Sequence, residues 1–256
     1  MGEGHPLVLI HAGVADCRLW NDQFALFAQH YKVIRYDLRG FGKTQSESVS
    51  FSYRQDLYDL LKHLGIEKAH VLGLSMGGQI ATDFVLEHPE MVTALIPVAA
   101  GLSGYQRKPT DDEKSKFEQQ CFEEMDKAWE QKDFARLAEL EVQMWVDGPM
   151  QSTLRVPAAI REKVREMDLL ALSHTEDLKG QPLKPPAIGR LAEIRVPTLV
   201  IWGDLDTHGV IEACELLSRD IAGASKAVLP SVAHIVNMER PVEFNRIVLG
   251  FLSHAH

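Results

Sequence analysis

Val71-Leu72-Gly73-Leu74-Ser75-Met76-Gly77-Gly78 is the stretch on which the fold turns. An apolar run ends at Leu74, a serine stands between Gly73 and Gly77, and a helical pattern follows as far as Glu87. A serine on so sharp a strand-to-helix turn points its hydroxyl into a cleft. Side chains two positions away on either side would collide, and glycine removes them. The backbone at Ser75 is expected to be strained. A helix opening at Met76 also aims unpaired N–H groups and its positive end at whatever that hydroxyl attacks. The G-x-S-x-G pattern is weak in isolation; its place between strand and helix gives it weight.

Outward from this turn, short apolar runs alternate with helical periodicity. Leu7-Val8-Leu9-Ile10, Lys32-Val33-Ile34-Arg35-Tyr36, Val71–Leu74 and Val92–Val98 predict four strands. The spacing of Leu57, Leu60, Leu61 and Leu64 predicts a helix that Gly65 stops. Such alternation predicts a parallel sheet with helices on both faces. Beyond Leu102 the strand signal disappears. Charged and amide residues with Phe117, Met125, Leu137 and Leu140 among them, then a stretch over 156–172, predict a helical insertion. Arg190–Ile194 and Pro197–Trp202 bring the chain back to sheet, followed by a helix over 211–221, a last strand at Lys226–Leu229 and a last helix over 241–252. The organisation expected is an α/β core over 1–101 and 190–256 with a helical lid over 102–189, inserted after the fourth strand.

The chain has 256 residues, 45% hydrophobic and 25% charged, which is an ordinary globular composition and excludes a disordered or fibrous chain. Its formal net charge of −9 leaves no basic footprint for nucleic acid. No basic segment leading into an apolar one opens the chain, and no run reaches the roughly 18 apolar residues of a membrane helix. A cytoplasmic protein without membrane or nucleic-acid partners is the expectation. Cys17, Cys121 and Cys214 are too widely spaced for a zinc knuckle or disulfide framework. No metal or organic cofactor is implied: there is no HExxH, and no G-x-G-x-x-G.

A serine needs a general base. Of eleven histidines, His234 stands in a loop after the last strand, and is the candidate. A carboxylate must fix its tautomer; Asp204 and Asp206 both follow the strand ending at Trp202, with Asp147 a third option. Spacing does not choose between them. A tetrahedral intermediate also needs two donors for its oxyanion. The Met76 N–H is one, and the Gly13 N–H, in the loop after the first strand, is the other. His11 is expected to order that loop, and His208 to sit in a solvated one.

Together these segments resemble the α/β-hydrolase superfamily. His11-Ala12-Gly13 is similar to its oxyanion motif, with Ala12 for a glycine. Asp37-Leu38-Arg39-Gly40-Phe41-Gly42-Lys43-Thr44 resembles its D-x-R-G-x-G-x-S/T loop, and Gly73–Gly77 its nucleophile elbow. Gly203-Asp204-Leu205-Asp206 looks like the segment whose last aspartate is the triad acid. His234 followed by Glu239-Arg240-Pro241 resembles the family's ending. The resemblance thus implies a triad of Ser75, Asp206 and His234, in the family's chain order. Serine at the elbow separates the chain from dehalogenases and epoxide hydrolases, which use aspartate.

The family's usual leading antiparallel hairpin is not expected, since the first strand begins near Leu7. About six parallel strands are expected, with the strand at Val33 on an edge open to a homodimer partner. The implied activity is cleavage of small carboxylic esters through an acyl-enzyme. The alternatives are an enol-lactonase, a C–C bond hydrolase, and, from another class, a slow-turnover ligand-binding protein of hormone-receptor type. A small ester or lactone is the expected partner, with Trp129, Met144, Trp145 and Met150 lining its pocket. Arg155, Arg161 and Arg165 are expected to be solvated on a helix.

Overall fold

The computed structural model describes residues 1–46, 50–174 and 180–255. Six strands form one all-parallel sheet in the order β2-β1-β3-β4-β5-β6. They are β1 (Pro6–Ile10), β2 (Lys32–Arg35), β3 (Ala69–Leu74), β4 (Val92–Val98), β5 (Leu199–Gly203) and β6 (Ser225–Leu229). The α-helices between and after them are α1 (Asn21–Phe27), α2 (Tyr53–His63), α3 (Met76–Glu87), α4 (Glu113–Glu130), α5 (Phe134–Val142), α6 (Ala158–Ser173), α7 (His208–Asp220) and, beyond β6, α8 (Val236–Glu239) and α9 (Pro241–Leu252).

The uninterrupted apolar strands follow from burial on both faces, since successive side chains point to opposite sides. Leu7 and Leu9 of β1 join Leu72 and Leu74 in a layer closed by Trp20, Phe27, Phe244 and Val248. Val8 and Ile10 point the other way, with Val71, into a layer closed by Leu57 and Leu61 of α2, Phe84 of α3 and Leu217 of α7. The sheet is therefore a three-layer core, and its carboxyl ends carry the loops that matter below.

The edge position of β2 follows the sequence expectation. The Val33 N–H donates to the Met1 carbonyl at 2.8 Å, and the Val33 carbonyl accepts from the Met1 amino group at 2.9 Å. At that residue both backbone groups of the edge are paired.

Arg190–Ile194 does not return to the sheet. It forms a 3-10 turn over Leu191–Glu193 that buries Leu191 and Ile194. Their i, i+3 spacing is helical, and that spacing prevailed over the local apolar character. The segment between β4 and β5 carries α4, α5 and α6. Asp112 caps α4 through Ser115 N at 2.8 Å, and Asp133 caps α5 through Arg136 N at 3.0 Å. Cys121, Met125, Leu137, Leu140 and Met144 make a small core of their own there. Cys17, Cys121 and Cys214 are free thiols. Among the described residues no helix is long and apolar enough to cross a membrane.

Glu141 of α5 and Asp168 of α6 are hydrogen-bonded to each other. Burial pushes both carboxyls above the usual range, and the Glu141 charge pushes Asp168 further. The folded protein thus holds a proton here that the unfolded chain has released. This contribution to stability is full below a carboxylate's ordinary pKa of about 4, and is lost as pH rises through the raised values. Asp168→Asn keeps a donor for Glu141 and removes the Asp168 titration, leaving only that of Glu141. Its Tm should exceed the parent's by roughly 3–6 °C at pH 8, the gap closing at pH 4 in calorimetry.

Candidate active site

Ser75 joins β3 directly to α3 with φ 59° and ψ −116°, a conformation few non-glycine residues adopt. Its N–H donates to Val98 O at 2.8 Å, and its carbonyl accepts from Gln79 N at 3.0 Å. A methyl group at Gly73 would lie 2.1 Å from Gly77 O, and one at Gly77 would lie 2.4 Å from Ile10 O. Backbone crowds both positions, so no side-chain movement relieves either clash. Gly73→Ala should therefore cost about 4 kcal/mol or more, read as loss of the folded state in a thermal melt monitored by circular dichroism.

Asp206 and His234 meet beyond the ends of β5 and β6. His234 Nδ1 donates to Asp206 Oδ2 at 2.8 Å, and Thr207 N donates to Oδ1 at 2.7 Å. Both side chains are almost wholly buried, at 0% and 2% exposure. A carboxylate accepting at Nδ1 fixes the tautomer, leaving Nε2 to take a proton. Asp204 does something else: its Oδ1 accepts from Ser231 N at 2.6 Å and shapes the loop that leads to His234. Asp147 is buried against Arg161, with Nε to Oδ1 at 2.8 Å, and does not bond His234. Among the hydrogen bonds of the described residues none joins the Ser75 hydroxyl to His234; such catalytic contacts commonly tighten only with substrate bound.

Gly13 and Met76 lie side by side, since a methyl group at Gly13 would touch Met76 Cβ and Sδ at 3.9 Å. Among the described residues neither N–H donates to the protein. His11 explains how the Gly13 loop is held. Its Nε2 accepts from Leu38 N at 2.9 Å, and its Nδ1 donates to Ala12 O at 2.8 Å. Burial lowers its pKa, which favours the neutral ring this pattern requires.

Two adjacent unpaired N–H groups, a strained serine and a buried Asp–His pair thus stand on loops beyond the carboxyl ends of the parallel strands. The family model described as the alpha/beta hydrolase fold matches residues 5–241. The chain belongs to this family.

It is thus an α/β hydrolase, and its relatives cover its length. A 2-hydroxy-6-oxononadienedioate/2-hydroxy-6-oxononatrienedioate hydrolase of Pseudomonas putida is 29% identical, covering 99% of this chain and 90% of the relative. A 2-hydroxy-6-oxo-6-phenylhexa-2,4-dienoate hydrolase of Comamonas testosteroni is 26% identical, over 98% and 88%. Among solved structures, a thermophilic esterase from Thermogutta terrifontis superposes with a TM-score of 0.77 at 25% identity, over 100% and 92%.

The hydrolase carries a cavity of about 550 Å³ between α4 and the sheet's carboxyl end. Each proposed triad residue has a neighbour in its wall: Gln79 one turn beyond Ser75, Thr207 after Asp206, and Trp145 with its ring centroid 4.7 Å from that of His234. Of the four side chains expected to line a pocket, Trp145 does so. Met144 is fully buried in the insertion's core, while Trp129 packs on Phe134 at the surface, 41% exposed. Met150 is 51% exposed in the loop beyond. The α5 helix runs into a π turn over Gln143–Asp147, in which Met144 is buried in the insertion's core while the neighbouring Trp145 meets His234.

Arg155 and Arg161 are largely withdrawn from solvent, whereas Arg165 keeps a partly exposed side chain. Arg155, which precedes α6, donates from Nε to Asp147 O and from Nη2 to Val146 O, both at 2.7 Å. Its Nη1 reaches Ser231 O and Glu239, whose Oε1 accepts from Ala233 N at 2.9 Å. One guanidinium thus fastens the turn carrying Trp145 to the loop carrying His234. Arg161 pairs with Asp147 and Glu139, and Arg165 with Glu139 at 3.0 Å. His208 opens α7, and its N–H and Nδ1 both meet Glu118 of α4. Single-sequence reading had no signal for these ties, which form only when the insertion folds back.

Asp16, Cys17 and Asp37 bring three candidate ligand atoms within 4.8 Å of one another. Asp16 is taken by Arg18, and Asp37 by the N–H groups of Cys17 and Lys43. Burial and the Asp37 hydrogen bond push the Cys17 thiol up to about 12. A protonated thiol among carboxylates already engaged does not fit a metal centre.

Proposed function

We propose that this protein is a serine hydrolase that cleaves small carboxylic esters through an acyl-enzyme. The observation that carries the reading is the buried Asp206–His234 hydrogen bond at the rim where the strained Ser75 turn opens α3. As Ser75 Oγ attacks the ester carbonyl, His234 Nε2 takes the hydroxyl proton. The oxyanion forms beside the Gly13 and Met76 N–H groups. His234 then gives its proton to the departing alcohol, and water, deprotonated by the same ring, releases the acid and restores Ser75. Asp206 stays ionised and stabilises the imidazolium.

A second reading, C–C bond hydrolysis, is favoured by relatives whose names end in dienedioate and dienoate. Such carboxylate substrates call for an available cation. Here Arg107 is tied to Glu118, Arg155 to Glu239 and Arg161 to Asp147, which supports an ester without a carboxylate instead. Chromogenic esters of graded acyl length, assayed beside a 2-hydroxy-6-oxo-dienoate, separate the two. Turnover of short esters is expected; cleavage of the dienoate with no ester turnover would establish the second reading.

A further inference from the structure

The cavity beside the triad has a chemical character that the hydrolytic machinery does not require. Trp145 and Phe122 face it with ring centroids 6.1 Å apart, and Tyr105 lines the wall as well. Aromatic faces are negative and attract cations, with alkylammonium groups among the favoured guests. Among the described residues the same wall carries Glu118, Glu123 and Asp126 against the one cation of Arg107.

That cation is already committed. Arg107 Nη1 donates to Glu118 at 3.1 Å, Nη2 donates to Thr110 Oγ1 at 2.9 Å and Ser115 Oγ at 3.1 Å, and Nε lies 3.7 Å from Glu212. Lys114, outside the lining, is held by the Asp206 carbonyl at 2.5 Å. Glu118 is likewise satisfied, by Arg107 and His208. Glu123 and Asp126 are different. Glu123 accepts only the Gln119 amide at 3.1 Å, and among the described residues no cation pairs with either carboxylate. They stand at the open side of an aromatic cavity with their charge uncompensated.

We propose that this cavity receives an alkylammonium group, so that the preferred substrates are esters carrying a fixed positive charge away from the scissile bond. The proposal rests on the serine-hydrolase reading for the reacting end of the substrate, and on the cavity alone for the cation. The aromatic rings supply the contact surface, Glu123 and Asp126 the field, and the neighbours of Ser75, Asp206 and His234 in the wall set the reach to the reacting carbonyl.

The test uses three chromogenic esters that differ in one group: trimethylammonium, its neutral tert-butyl isostere, or carboxylate. At low ionic strength kcat/KM should be about tenfold higher for the ammonium ester than for the tert-butyl ester, and lower still for the carboxylate. Combining Glu123→Gln with Asp126→Asn should bring the ammonium-to-tert-butyl ratio most of the way to one. Glu67→Gln, an exposed carboxylate at the far end of β3, should leave that ratio where it was. An ammonium ester no better than its tert-butyl isostere, or a carboxylate ester equal to it, overturns the proposal. Should no ester turn over, the hydrolytic reading falls, and calorimetry with tetramethylammonium chloride decides the cavity separately. Binding that weakens in the double variant upholds the proposal, and no binding up to about 10 mM ends it.

Discussion

Ser75→Ala is expected to lower kcat/KM for a short chromogenic ester by on the order of 10⁵-fold while leaving the protein folded. Alanine occupies the same strained turn, because the φ of 59° is held by the Val98 hydrogen bond below it and the crowded glycines around it. Only the hydroxyl is lost. The melting temperature should stay within about 2 °C of the parent's, so inactivity cannot be blamed on unfolding. The residual rate measures what the Gly13 and Met76 donors achieve with water as nucleophile. A variant retaining a tenth or more of the parent's rate would show that another group attacks.

Asp206→Asn should cost about 10⁴-fold at neutral pH. Asp206 Oδ2 accepts the Nδ1 proton of His234 at 2.8 Å, whereas an amide nitrogen there donates and turns the ring to the tautomer whose Nε2 already carries hydrogen. That ring cannot take the Ser75 proton. Asp204→Asn should cost less than about tenfold, because its oxygen serves the Ser231 N–H rather than the imidazole. The pair of kcat/KM values is the measurement. Equal losses would mean that the loop's shape, rather than the carboxylate at Nδ1, governs the rate.

The nucleophile turn was legible because sterics leave few residue types for it. Gly73 and Gly77 are demanded by backbone atoms that any such turn brings close, and the order of apolar runs set the sheet. The carboxylate partner of His234 was half legible: Asp204 and Asp206 both follow β5, and a hydrogen bond formed across 28 residues distinguishes them. The cavity was largely illegible. Trp129 and Trp145 look alike in amphipathic sequence, and the π turn that carries Trp145 has no residue signature. Arg155 and His208 were misjudged because their partners Asp147, Glu239 and Glu118 come from distant segments, and charge patterning reports only neighbours along the chain.

The widened turn at Gln143–Asp147 works as a phase adjuster. An α-helix advances its side chains by about 100° per residue, so the one additional residue in that turn swings everything after it around the axis. Deleting one residue there would restore a regular spiral and rotate the indole away from the imidazole. The residues of the Ser75 turn and the His234 loop would be untouched, yet they would lose their aromatic cover. Length changes at this joint, more than substitutions, are therefore a route by which related chains could re-tune what they accept.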